Sequence, residues 1–292
     1  MRSIVSPGLA STVVVLLALT LTACSTTDQN AALPDGVTVD VYQTRTDAPA
    51  RKLEIAITNA GDEDLTIESA EFVSSQFAEP AVWSAREGGT IVRGGFGVDL
   101  PVQLPAPACD DEHPLGTVRL RFTTESGQTG SSELPAVDRY DRLPAMRAEE
   151  CFAASIDAVA GLSIKTLPRI EQRGGIAVAL IDVSAEPTGN PGEIRIEGVH
   201  ATVLLGIADA DGGAVTEAPL DVMIAGTDPP TAFSVPIIPG RCDPHAVAED
   251  KQGTIFIFDA LAPDGTSSEL RIAATSEVRA AIYEYIATTC GY

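Results

Sequence analysis

Cys109-Asp110-Asp111-Glu112-His113 and Cys242-Asp243-Pro244-His245 open two versions of one passage. Each leads to a Gly-Thr strand start. The first reads Gly116-Thr117-Val118-Arg119-Leu120-Arg121-Phe122, the second Gly253-Thr254-Ile255-Phe256-Ile257-Phe258. Ser131-Ser132-Glu133-Leu134 then matches Ser267-Ser268-Glu269-Leu270. A second cysteine closes each passage, Cys151 coming 17 residues after Leu134 and Cys290 coming 20 after Leu270. Order and spacing agree, so the chain is a duplication and its fold is that of one unit used twice.

The repeat extends upstream. Leu65-Thr66-Ile67-Glu68-Ser69-Ala70-Glu71-Phe72 matches Ile194-Arg195-Ile196-Glu197-Gly198-Val199-His200-Ala201. In both, apolar residues alternate with period two and then change phase after the fifth position. A phase change moves the apolar set to the other face, which is what a β-bulge does. A shared irregularity is stronger evidence of common descent than shared alternation, which any two strands show.

Four cysteines follow Cys24, and four cysteines allow three pairings. The repeat selects one of them, Cys109–Cys151 and Cys242–Cys290, a crosslink within each copy. The spacing is far from the C-x-x-C of metal sites.

Between the cysteines the pattern is that of strands. Val37-Thr38-Val39-Asp40-Val41-Tyr42 alternates, as do Leu53, Ile55 and Ile57, then Leu100, Val102 and Leu104. In the second copy Ile176, Val178 and Leu180 alternate, and so do Val235 and Ile237. Turn signals separate them at 59–62, 86–89, 188–192, 211–213 and 263–265. Short strands at this spacing predict a mainly β chain of two tandem antiparallel β-sandwich domains. Val278, Ile282, Ile286 and Cys290 recur every four residues behind a capping Thr275 or Ser276, which predicts a closing helix. Met146 to Ala154 is its shorter counterpart in the first copy. The expected boundaries are 34–156 for the first domain and 157–292 for the second.

The first 23 residues have the form of an export leader. Arg2 gives a positive start, and Val13 to Leu19 form an apolar core too short to span a bilayer. Leu21-Thr22-Ala23-Cys24 resembles the bacterial lipobox. That resemblance implies cleavage before Cys24, a diacylglycerol thioether on Cys24, and a lipid anchor on the extracytoplasmic face of the cell membrane. Residues 24–33 would be a lipidated polar tether. The Asn59–Ile67 run, NAGDEDLTI, resembles the B–C hairpin of many bacterial immunoglobulin-like domains.

The formal net charge of −22 repels phosphate backbones and excludes nucleic acid as a natural partner. It also disfavours flat contact with anionic lipid, leaving attachment to the acyl chains.

Motifs for chemistry are missing. There is no G-x-S-x-G, H-E-x-x-H, P-loop or G-x-G-x-x-G. Gly94-Gly95-Phe96-Gly97 has no helix after it and reads as a bulged or edge strand. Asp209-Ala210-Asp211-Gly212 starts like a calcium loop, but Leu220 stands where the twelfth-position glutamate belongs, so it reads as a hairpin turn. His200 aligns with Glu71 at an outward position and is expected on the surface. Trp83, the only tryptophan, is expected against the core. His113 with Asp110, and His245 with Asp243, could offer a divalent metal nitrogen and oxygen ligands. A capped loop beside a disulfide explains the same residues without a ligand.

The lipobox, the Ala-, Val- and Asp-rich composition and the Arg241–Thr254 segment RCDPHAVAEDKQGT resemble lipoproteins of high-GC Gram-positive bacteria, a class with no assigned activity. The resemblance covers class and address only; with no motif for chemistry, the expected function is a non-catalytic binding or scaffold protein with an envelope protein or glycan as partner and no cofactor. Divalent-metal binding by the Cys-Asp…His loops is the alternative.

Overall fold

A computed structural model describes residues 31–44, 46–47, 50–109 and 115–292. The first domain is a sandwich of two antiparallel sheets. One sheet has the order β1 (Val37–Tyr42), β2 (Lys52–Asn59), β6 (Phe96–Gln103). The other has β4 (Ala81–Ser84), β3 (Leu65–Val73), β7 (Thr117–Thr124), β8 (Thr129–Pro135), with β5 (Thr90–Val92) also paired to β3. Alternation places Leu53, Ile55, Ile57, Leu65, Ile67, Phe72, Leu120 and Phe122 between the sheets, each almost wholly shielded from water.

The second domain repeats the plan. β9 (Ala160–Ser163), β11 (Ile176–Pro187) and β16 (Thr231–Pro239) correspond to β1, β2 and β6. β15 (Glu217–Ala225), β12 (Glu193–His200), β17 (Ile255–Leu261) and β18 (Ser267–Ala273) form the facing sheet. Two hairpin additions enlarge the first sheet. They are β10 (Arg169–Arg173) on β11, and β13 (Leu205–Ala208) with β14 (Ala214–Val215) on β16.

Three details show that the copies share geometry. The register of β3 slips between Ile67 and Ser69, and that of β12 slips between Ile196 and Gly198. Glu68 and Glu197 are therefore the extra residues of two equivalent bulges, where the phase change predicts them. Second, an isolated parallel bridge joins Val41 to Asp138 in one copy and Ile164 to Ala274 in the other. Third, each disulfide forms within its own copy, Cys109–Cys151 and Cys242–Cys290, both with Cα atoms 5.4 Å apart.

The Asn59–Ile67 run is not a hairpin. β2 and β3 lie in different sheets, so the run carries the chain across the sandwich. Asn59, 1% exposed, pins that corner. Its Nδ2 donates to the carbonyls of Glu63 (2.8 Å) and Val92 (3.2 Å), and its Oδ1 accepts from Gly61 N (3.1 Å). Asn59→Ala strands the buried Val92 carbonyl and frees the partly buried Glu63 carbonyl and Gly61 amide, so it should destabilise the chain by about 2–3 kcal/mol. Urea unfolding measures this, and an unchanged midpoint refutes it.

The first helix also departs from expectation. α1 spans Leu143–Asp157, as long as α3 (Ser276–Cys290), where only Met146 to Ala154 was expected. No Arg142 side-chain bond caps it, but the Asp138 carboxylate accepts from Leu143 N at 2.7 Å. Its apolar residues serve two cores. Leu143 and Met146 bury in the first domain, whereas Phe152 and Ile156 bury in the second, against β9 and β18. A single apolar stripe is thus replaced by two half-stripes, which is why periodicity under-read the element. The helix is fastened to the first domain at mid-length. Arg51 makes a two-pronged pair with Glu150 (2.6 and 2.9 Å), and Arg147 donates to Ala108 O (2.7 Å). The Cys109–Cys151 bridge lies beside them.

Prolines sit on some of the sheet edges. β6 pairs with β2 alone and carries Pro101, and β15 pairs with β12 alone and carries Pro219. β13 reaches only Ile237–Pro239, so the first half of β16 is also an edge, and Pro236 ends it. A proline has no N–H for a further strand.

Candidate functional site

The second cysteine loop is built around its carboxylates. Asp243 caps the short helix α2 (Pro244–Ala248), its Oδ1 accepting from His245 N at 3.0 Å, and its Oδ2 lies 3.7 Å from Arg241. Asp250 accepts from Gly253 N (2.6 Å) and Gln252 N (3.1 Å), and from the Tyr283 hydroxyl at 2.8 Å. These bonds hold the loop against α3, whose Val278, Ile282, Tyr285 and Ile286 enter the core. Thr275 caps α3, and Gly291 ends it in the left-handed region at φ 80°. Tyr285 donates to the carbonyls of Ala177 (2.7 Å) and Ile237 (3.2 Å). Neither tyrosine figures in the sequence reading, because a hydroxyl partner 33 or 108 residues away leaves no local signal.

Burial, and then the Asp250 bond and charge, push the Tyr283 hydroxyl up to about 12. The neutral phenol is the form the fold favours. Its contribution is complete below the ordinary tyrosine value of about 10, and it is lost as pH rises from there through about 12. Ultraviolet titration should therefore show a late-ionising component that shrinks in Tyr283→Phe. A single transition near the ordinary value would refute this.

Of the candidate metal ligands, Asp110 and His113 lie outside the described residues, as does Cys24. His245 is exposed, and Asp243 is occupied by the cap. Among the described residues no three His, Cys, Asp or Glu side chains converge on one point.

His200 is on the outer sheet face but not solitary. Its Nε2 lies 2.9 Å from Asp259 Oδ2 across the β12–β17 ladder. Gly198 leaves the room for this, since a Cβ there would meet Asp259 Oδ2. Among the described residues no hydroxyl or thiol bonds to His200, so the pair joins two strands rather than forming a catalytic relay.

The glycine-rich run is the turn into β6, with Gly94 pressed against Asp62 O. The Asp209 run is the β13–β14 turn, Oδ1 accepting from Asp211 N (2.9 Å) and Gly213 N (2.7 Å). Trp83 is half-buried against the first core. Shallow depressions indent the surface. One of about 310 Å³ is lined by Glu193, Arg195, Met223 and Leu261, and one of about 260 Å³ lies beside Asp157, Leu162 and Thr275.

An aromatic cluster stands at the closing edge of the first domain. The Arg139 guanidinium lies 4.2 Å from the Tyr42 ring centre and pairs with Asp40 at 3.0 Å. Tyr140 meets Tyr42 edge-on at 5.7 Å and remains 57% exposed. Desolvation, with a bond to Asp99, raises the Tyr42 hydroxyl.

The class these features define is a tandem immunoglobulin-like β-sandwich protein with one disulfide in each copy. No family model and no curated protein matches the chain. Among solved structures it is similar to the YadV chaperone at 13% identity, covering 81% of this chain and 99% of that one, with a TM-score of 0.22. The CupB2 chaperone of Pseudomonas aeruginosa is similar at 12% identity, covering 81% and 96%, with a TM-score of 0.20. CBD12 from CALX1.2 follows at 10%, covering 78% and 79%, with a TM-score of 0.20. Scores this low carry no functional information.

Proposed function

We propose that this chain is a lipid-anchored, extracytoplasmic binding or scaffold protein without catalytic activity. The observation that carries the reading is the shared helix. α1 inserts into both cores and is stapled at Cys151, so the two sandwiches form a stiff display unit rather than two beads on a string. The Leu21–Cys24 sequence supports the anchor, and two acyl chains suffice for stable attachment. Tyr140, Tyr42 and Arg139 are of the residue types that dominate protein contacts, and they supply a candidate contact surface.

Cross-linking in intact envelopes tests the reading. A reproducible protein partner is expected, with recovery lost in Tyr140→Ala. Fatty-acid labelling is expected for the wild type and absent in Cys24→Ala. Recovery of no partner, or labelling that survives Cys24→Ala, would overturn the corresponding half.

A second reading rests on the exposed His245 ring, which has no hydrogen-bond partner among the described residues. Divalent metal bound at the Cys-Asp…His loops would raise the melting temperature by mass action. A shift with Ca²⁺, Zn²⁺ or Cu²⁺ that disappears in His113→Ala/His245→Ala would favour it. No shift removes it.

A further inference from the structure

The two copies close one corner of the sandwich differently. In the first, Val41 N donates to Val137 O at 2.8 Å and Arg139 N donates to Val41 O at 3.0 Å. The Arg139 guanidinium then pairs with Asp40 at 3.0 Å. In the second, Thr275 N donates to Ile164 O at 3.0 Å. The parallel bridges Val41–Asp138 and Ile164–Ala274 align the two seams residue by residue. Ser163 therefore stands where Asp40 does, and Thr275 where Arg139 does. The second copy has lost both halves of the ion pair that finishes this corner in the first.

A cleft of about 260 Å³ opens at the altered corner, between α1, β9 and β18. Leu270 and Ile272, both buried, and the partly buried Leu162 give it apolar walls. Ser163, Thr275 and Asp157 give it polar atoms. Asp157 is the last residue of α1, where the free carbonyls of the helix end already make the surroundings negative. Partial burial raises its carboxyl. Among the described residues no hydrogen bond or ion pair engages the Asp157 carboxylate or the Ser163 hydroxyl. The flanking cations face other carboxylates. Arg271, on the cleft wall, pairs with Glu269 at 2.7 Å, and Lys165 lies 3.8 Å from Glu186. The corner thus keeps a carboxylate and lacks the cation that its counterpart holds.

Apolar walls with an unpaired carboxylate fit an alkyl stem that ends in an ammonium. The stem lies along the apolar side chains while the charged head stays in contact with water. The volume falls below the ~300 Å³ at which ordinary ligand pockets begin, which restricts the guest to one such stem. An ammonium is a compact charge with three donors, enough to serve a carboxylate and a hydroxyl together.

We propose that this cleft binds a primary ammonium on a short unbranched alkyl stem, carried by a free diamine or by a lysine side chain of a partner, with the stem against Leu162, Leu270 and Ile272 and the head on Asp157. The site is separate from the Tyr140 surface and does not depend on the lipid anchor.

Methyl resonances of the intact chain, with its disulfides oxidised, test this. The probes are cadaverine, Nα-acetyl-lysine N-methylamide, and pentanol, which keeps the stem and lacks the charge. Saturable shifts of the Leu162, Leu270 and Ile272 methyls are expected with an amine. They should be lost with pentanol, at molar salt, and in Asp157→Asn. A response to cadaverine alone assigns the site to free diamines, and a response to the lysine derivative assigns it to a partner's side chain. No saturable shift with either amine, equal shifts with pentanol, or an amine titration unchanged in Asp157→Asn would overturn the site. Asp157→Asn is nearly isosteric, and its own methyl spectrum shows whether it folds. Should it not, Ser163→Arg places a cation of the chain's own at the corner and should abolish the amine response. A response that persists in Ser163→Arg overturns the site equally.

Discussion

A second-domain fragment beginning at Ala158 should be far less stable than one beginning at Asp141, although both contain every strand of that domain. The difference is α1, and within it Phe152 and Ile156, which are 6% and 0% exposed in the second core. Truncating a buried phenylalanine costs about 3–5 kcal/mol and a buried isoleucine about 2–5 kcal/mol. Together they approach the whole stability of an ordinary domain, about 5–15 kcal/mol. The shorter fragment should unfold at low urea or be partly unfolded without denaturant. The longer one, with Cys151→Ser to remove the unpaired thiol, should show a cooperative transition. Coincident midpoints would mean that α1 belongs energetically to the first domain alone. In the intact chain the same helix should couple the domains, so that Ile156→Ala lowers the unfolding midpoint of the second domain from a position outside its strands.

Cys242→Ser/Cys290→Ser is the other substitution with a large expected effect. The bridge closes a loop of sequence separation 48, and the chain-entropy relation for such a loop gives about 4 kcal/mol. Because Cys290 is the last residue of α3, opening the bridge frees the helix end to fray, whereas Val278 and Ile282 at its start remain held by the core. The loss should appear as a fall in melting temperature of roughly 10 °C or more, with α3 amides losing protection first in hydrogen exchange. Cys109→Ser/Cys151→Ser removes a similar closure, of separation 42, but leaves α1 held by Arg51–Glu150 and by two cores. Its effect should be the smaller of the two. An unchanged melting temperature on reducing both bridges would refute the assignment of stabilising roles to them.

The sandwich was legible in the sequence because period-two burial writes itself directly into residue order. The bulges at Glu68 and Glu197 were legible for the same reason, as breaks in that order. The cysteine pairing was legible only through duplication, since four cysteines without the repeat leave three choices open. Other features could not be read. α1 was underestimated because its two buried halves point into different cores, so no continuous stripe exists at helical spacing. The crossing at Asn59 looked like a hairpin because a turn sequence does not state which sheet receives the next strand. The Tyr283–Asp250 and Tyr285–Ala177 bonds are products of the assembled fold and have no local trace. The candidate site was the least legible part. The Asp243 and His245 pattern is compatible with a ligand or with a cap, and the structure shows the cap.

The prolines at the rims have a consequence for crowding. Proteins rich in exposed strand borders can zip together into ribbons when concentrated, each molecule extending its neighbour's sheet. Pro101, Pro219 and Pro236 each remove a donor from such a seam, and the charge of −22 keeps neighbours apart. At those rims a neighbouring strand meets a gap in the row of donors, while charge repulsion acts at every border. Restoring the missing donors, as in Pro101→Thr/Pro219→Thr, would be the direct route to turning it into a fibre-former.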